Sequence, residues 1–216
     1  MKRRRYSRRE IDMLKKLASD ALGLSDIGKI ITPEDYDKTV ADDYVRYEDG
    51  EKIYFLIKTM ADEYCFTNLA LIHVDGQSAT STKKTMKRYP YYQYPISNVL
   101  LETAGRIDLD IEIKFNLGEI HFSIDVHKNQ SEQLKDLYKA LLFIEEKIKE
   151  NQTMLDLARR SLDLATHIFQ SSRLEGINVK EEFQQMTEYS FSWLEKNREK
   201  YVEKDFGYVF EKYIVH

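Results

Sequence analysis

The sequence predicts an α+β protein: a small antiparallel β-sandwich or barrel of seven strands, capped by a helix and followed by an α-helical hairpin. Three observations carry this. From residue 53 to 127, runs rich in Ile, Tyr, Phe and Val alternate at a period of two between turn signals. After residue 129 the apolar spacing becomes helical. At 216 residues and 42% hydrophobic, the chain suffices for one core plus an appendage. No apolar run approaches the roughly 20 residues of a spanning helix.

The elements follow in order. Residues 1–30 divide into a basic arm and a helix, in which Ile11, Leu14, Ala18, Ala21 and Leu22 share one face and Gly23 is the stop. In "TPEDYDKT", Thr32 is a helix N-cap, Pro33 the first helical residue and Asp35 the closing partner of a capping box. Seven strands are expected at 53–59, 63–67, 70–75, 84–92, 97–103, 108–116 and 119–126. The last two read as a hairpin with Leu109, Ile111, Ile113, Phe115, Ile120, Phe122, Ile124 and Val126 on one face, and Asp108, Asp110, Glu112, His121, Ser123, Asp125 and His127 on the other.

Asn129 with Glu132 then opens an amphipathic helix whose stripe is Leu134, Leu137, Tyr138, Leu141 and Ile148. A linker is expected near 150–153, where Thr153 with Asp156 restarts a helix. That helix carries two apolar faces, Leu155, Ala158, Leu162, Ala165 and Phe169 against Leu157, Leu164 and Ile168. One face serves this chain and the other calls for a partner. "EGIN" at 175–178 turns the hairpin, and Phe183, Met186, Tyr189 and Trp193 carry the return helix. The aromatic tail "DFGYVFEKYIVH" is expected to dock on the hairpin or on a neighbouring chain.

Charge narrows the function classes. Net charge is −4, and residues 1–16 hold +6, which leaves −10 for the rest. An acidic body excludes a general nucleic-acid binder, which needs a broad basic footprint. The single cysteine, Cys65, fits a reducing compartment, and a cytoplasmic location is expected. His73, His121, His127 and Cys65 do not converge locally on a metal, because His121 and His127 lie roughly 20 Å apart along one strand. Asp108 and Asp110 point the same way about 6.6 Å apart, within the loose range of a glycosidase pair. Alternating acids on an exposed strand face are the simpler reading. The chain has no G-x-S-x-G, P-loop, G-x-G-x-x-G or H-E-x-x-H. No enzyme, cofactor or metal is expected.

One stretch stands out. "STKKTMKRYPYYQYP", residues 81–95, holds Lys83, Lys84, Lys87 and Arg88 and no acid. On a strand, Lys87, Tyr89 and Tyr91 share one side, and Lys84 and Arg88 share the other. Pro90 points to a sheet edge. Residues 108–127 balance this +4 with −4, from Asp108, Asp110, Glu112, Glu119 and Asp125 against Lys114. Opposite patches on one protomer point to head-to-tail contact, which closes into a ring when the rotation permits.

Residues 62–115 also resemble the bacterial pleckstrin-homology (PH) domain family of the YvbH-like type. FTN, KK, the tyrosine-proline strand, ETAG and D-L-D-x-E-I-K occur in order in "DEYCFTNLALIHVDGQSATSTKKTMKRYPYYQYPISNVLLETAGRIDLDIEIKF". The match runs from about Met13, marking the residues before it as an upstream extension, to about 150; the helical segment after it resembles the YvbH-like oligomerisation region. The resemblance implies a PH-like domain over 31–150 and an oligomerisation hairpin over 151–216. It further implies a cyclic homo-oligomer larger than a dimer, with a hydrophilic surface between protomers that binds a protein partner. No catalytic residue comes with it. The expected binding set is Lys83, Lys84, Lys87, Arg88, Tyr89, Tyr91, Asp108, Asp110 and Glu112. A peripheral anionic-lipid-binding module is the alternative, although the loop between the first two strands, "TMADEY", is acidic where phosphate-binding lysines would be needed.

Overall fold

The computed structural model describes residues 27–76, 83–103, 110–171 and 179–214. The expected helix at 11–22, the basic arm, Asp108 and the "EGIN" turn lie outside these residues. Among the described residues, eight strands form two antiparallel sheets. The first has the order β1 (Lys29–Ile31), β2 (Ile53–Lys58), β3 (Glu63–Thr67), β4 (Ala70–Gly76) and β5 (Lys84–Pro90). The second has β6 (Ile96–Glu102), β7 (Asp110–Leu117) and β8 (Ile120–His127). All seven expected strands are present, and β1 is added.

Most of the alternating residues land as patterned, with two exceptions at the ends of the strands: Ile120, expected inward, begins β8 beside the Gly118 turn and is 38% exposed, and Asp110, expected outward, is buried. Ile111, Ile113, Phe115 and Leu117 of β7, with Phe122, Ile124 and Val126 of β8, are buried between the sheets. They meet Phe55, Ile57, Phe66 and Leu71 of the first sheet, and Phe66 approaches Phe115 with ring centroids 5.8 Å apart. One corner is joined through Gly28, whose N–H donates to the Asp125 carbonyl (2.8 Å) while its own carbonyl accepts from the His127 N–H (3.1 Å). A Cβ at Gly28 would lie 2.7 Å from Ile57 Cγ2, so only glycine permits this approach.

The outer face of the first sheet is covered by 3-10 turns at Pro33–Lys38, Asp42–Tyr44 and Tyr47–Asp49. Ala41 and Val45 pack there on Leu56, Cys65 and Ile72 in a second cluster. The expected helix at Thr32 is thus a 3-10 turn. Thr32 makes no side-chain cap; its carbonyl accepts from the Asp35 N–H instead.

Helix α1 (Ser131–Ser171) buries Leu134, Leu137, Leu141 and Ile144 against the core and runs on unbroken for 41 residues. There is no linker at 150–153. No Gly or Pro interrupts the segment, and the Thr153 hydroxyl, read as a cap, donates back to the Lys149 carbonyl (2.9 Å) inside the helix. The distal half of α1 packs on α2 (Val179–Tyr201).

The aromatic tail docks on neither the hairpin alone nor a neighbour. It forms α3 (Gly207–Tyr213), whose Val209 and Phe210, with Phe206 and Ile214 at its ends, join the main core. Phe210 stacks on Tyr54 at 5.4 Å. Asn68 fixes the entry to α3: its side-chain amide donates to Asp205 (2.8 Å), its side-chain oxygen accepts from the Lys52 N–H (2.8 Å), and its carbonyl accepts from the Phe206 N–H (2.9 Å). The chain therefore leaves the sandwich along α1 and returns to complete it with α3.

Candidate self-association surface

The basic stretch is β5, the terminal strand of the five-stranded order, as Pro90 at its end led us to expect. Its residues have separate roles. Lys83 and Lys84 are exposed where β5 begins. Lys87 forms an ion pair with Asp75 on β4 (2.7 Å), and this contact raises the lysine and lowers the carboxyl from their ordinary values. Arg88 reaches the opposite side and meets Glu51 (2.9 Å), whose side chain is fully buried. Burial alone would raise the Glu51 carboxyl; hydrogen bonds from Arg88, the Thr67 hydroxyl and the Arg46 N–H outweigh it and hold the group below the usual range. Tyr89 and Tyr91 are core residues, 8% and 1% exposed, and burial raises both hydroxyls.

The second patch is also engaged within the chain. Lys114 pairs with Glu102 (2.8 Å) and Glu112 (3.0 Å), and the Ser123 hydroxyl donates to Glu112. Asp110 is only 9% exposed and stands opposite His127 in the ladder. With Asp108 outside the described residues, no side-chain geometry supports a carboxylate pair. Among the described residues, no three of His, Cys, Asp and Glu are grouped to hold a metal ion, and no helix is long and apolar enough to cross a membrane. Cys65 is buried in the second cluster, and burial raises its thiol far above its ordinary value, which makes it a poor nucleophile.

The larger unsatisfied feature is apolar. On α1, Leu155, Ala158 and Leu162 are partly or fully covered, although Ala165, expected on the same face, is exposed, while Leu157 and Leu164 on the opposite face are 50% and 62% exposed; the side chains of Ile168 and Phe169 lie outside the described ones. Met154 adds a 39% exposed side chain beside them. On α2 the expected set is split: Phe183 and Tyr189 are 72% and 69% exposed, as is Phe191 at 66%, whereas Met186 and Trp193, with Leu194, are partly covered. Tyr189 and Phe191 point to nearly opposite sides of α2, so the exposed residues are spread around that helix. A single exposed apolar residue needs no explanation, but this many large ones on two packed helices is more than a solvated surface requires. The two faces of α1 were legible from helical spacing. Phe191 was not, because it lies off the stripe of its helix. Glu51 and Asn68 gave no signal either, since their roles depend on residues 37 and 137 positions away.

Comparison with known proteins agrees with this geometry. Residues 21–144 match the bacterial PH domain family model, and residues 156–215 match the YvbH-like oligomerisation region. The chain is 64% identical over 202 residues to the uncharacterized protein YvbH of Bacillus subtilis (strain 168), covering 94% of this chain and 99% of that one. The uncharacterized protein YjqA of the same organism is 34% identical over 94 residues, 43% of this chain and 74% of its own. Among solved structures, a PH domain containing bacterial protein from Exiguobacterium sibiricum 255-15 superposes with a TM-score of 0.81 at 54% identity, covering 88% of this chain and all of that one. The sandwich of five and three strands, the capping helix and the helical return thus belong together, and the chain is a member of the bacterial PH domain family that carries a YvbH-like oligomerisation region.

Proposed function

We propose that this protein is a non-enzymatic cytoplasmic scaffold that assembles through the outer faces of α1 and α2 into a cyclic homo-oligomer larger than a dimer. The observation that carries the reading is the exposed apolar set Leu157, Leu164, Phe183, Tyr189 and Phe191, inside or beside the residues matched to an oligomerisation region. Burying such side chains between copies is worth about 1.5–3 kcal/mol for each one fully covered, ample to offset the entropy of association when several act together. In the assembly, the open edge of β5 with Lys83 and Lys84, and the outer face of β7 with Glu112, supply a hydrophilic surface for a protein partner. The head-to-tail charge contact has less support than the apolar face, because Lys87, Arg88 and Glu112 already pair within the chain.

Native mass spectrometry of the full chain counts the subunits. One dominant species of three or more copies supports the scaffold. Monomers or dimers alone would end the ring reading and favour the peripheral lipid-binding alternative, in which co-sedimentation with anionic vesicles is abolished by high salt.

A further inference from the structure

A second surface lies apart from the helix faces and from β5. Among the described residues, two hollows of about 220 and 480 Å³ adjoin between the turn at Pro33–Lys38, the start of β2, the start of α1 and the end of α3. Pro33, Tyr36 and Ile214 line both, so the two make one groove. The smaller end has core at its floor: Phe55 is 3% exposed and Ile214 is 8%. The wider end is lined by three tyrosines, Tyr36, Tyr47 and Tyr54. Two of them are tethered by their hydroxyls, Tyr47 donating to Asp42 and Tyr54 to Glu211 (2.8 Å), and Tyr54 is further braced by its stack on Phe210. Tyr47 is held in place and is still 51% exposed.

We propose that this groove binds a proline-rich, basic segment of a partner protein in the polyproline II conformation. Three observations select that chemistry. The first is the aromatic lining: proline rings dock on such side chains, and a polyproline II segment arrives already extended, with little conformational entropy to lose. Tyrosines fixed before binding lower the cost from the other side. The second is that strand addition is closed at the neighbouring edge. On β1, the Ile30 N–H donates to the Gln130 side chain (2.8 Å) and the Ile30 carbonyl accepts from it (3.0 Å). An incoming segment is therefore gripped by side chains and not by a backbone ladder. The third is charge. Glu34, Asp136 and Glu211 line the groove against Lys52, and residues 33–49 hold seven acids against Lys38 and Arg46. Such surroundings favour arginine or lysine beside the prolines and repel a phosphate-bearing ligand. The site does not depend on the assembly through α1 and α2, and it stands or falls separately.

The test is fluorescence anisotropy of the full chain with a labelled synthetic peptide of prolines and leucines that carries an arginine at each end. Saturable binding is expected, weakened about tenfold or more when the prolines become alanine and when the arginines become glutamate. Tyr47→Ala is expected to weaken it to a similar degree, with circular dichroism to check the fold, because a surface ring is lost. Glu211→Gln keeps an acceptor for the Tyr54 hydroxyl and removes the charge, and about a threefold loss is expected. No saturable binding, equal affinity for the glutamate peptide, or wild-type affinity in both variants would overturn the proposal. A change in the assembly's mass on Tyr47→Ala, with no binding of the peptide to the wild-type chain, would assign the groove to a second copy and overturn it as well.

Discussion

Replacing Phe210 by alanine tests whether the last helix belongs to the sandwich core or merely to the appended hairpin. Phe210 is 0% exposed, stacks on Tyr54 at 5.4 Å and lies 6.4 Å from Tyr91. A fully buried aromatic removes about 150 Å² or more from water, worth about 4 kcal/mol at roughly 25 cal/mol per Å². That agrees with the cost of about 3–5 kcal/mol for Phe→Ala in packed cores. Urea unfolding at fixed protein concentration, followed by fluorescence and far-ultraviolet circular dichroism, reads the change. Fixed concentration matters because assembly itself stabilises the chain. With a slope of about 2.5 kcal/mol/M, the midpoint is expected to fall by about 1.5 M in one transition shared by strands and helices. A fall equivalent to less than about 1 kcal/mol would refute the placement of α3 in the sandwich, because surface changes rarely exceed about 0.5 kcal/mol.

Two further outcomes follow from buried charge and from burial of a histidine. Arg88→Met leaves the buried Glu51 carboxylate without its cation, and thermal or urea unfolding is expected to show a loss of about 3–5 kcal/mol. Because the folded Glu51 pKa lies below its unfolded value, the wild-type protein keeps this stabilisation above the ordinary glutamate range and loses it as pH falls through the folded value. In the variant that acid-side loss is expected to disappear, and an unchanged profile would contradict the pairing. His73 stacks on Tyr64 at 4.7 Å, and burial lowers its pKa against the pull of Asp62 and Asp75. Its contribution is full above the ordinary histidine value and declines as pH falls below it, so His73→Phe is expected to flatten the stability profile on the acid side of that value.

How much of this was legible in the sequence depends on whether the signal was local. The β7–β8 hairpin was, because Ile111, Ile113 and Phe115 alternate with polar residues over a whole strand. Strand β1 was not: three residues, Lys29–Ile31, are too few to show a period of two, and pairing with Ile57 and Leu56 creates the strand. The break at Thr153 was read from a cap-like pair that a long helix tolerates by bonding the hydroxyl to its own backbone. For the candidate site, helical spacing revealed the two faces of α1. Strand alternation could not reveal that Arg88 is tied to Glu51 or that Tyr91 lies beneath Phe206, because both follow from tertiary packing. The return of α3 to the core has a practical consequence. A truncation at residue 150 would remove Phe206 and Phe210 from the sandwich, so loss of assembly in that fragment would not separate association from folding.

Surface substitutions make that separation. Leu157→Lys combined with Leu164→Glu changes two residues that are 50% and 62% exposed, to side chains that favour helix. The most direct measurement is the solution mass of the full chain and of this double variant by light scattering at equal concentration, with circular dichroism to check the fold. The account predicts an assembly larger than a dimer for the full chain and a smaller species for the variant, with unchanged helix content. A monomeric full chain, or equal masses for the two, would contradict the claim that these helix faces hold the copies together.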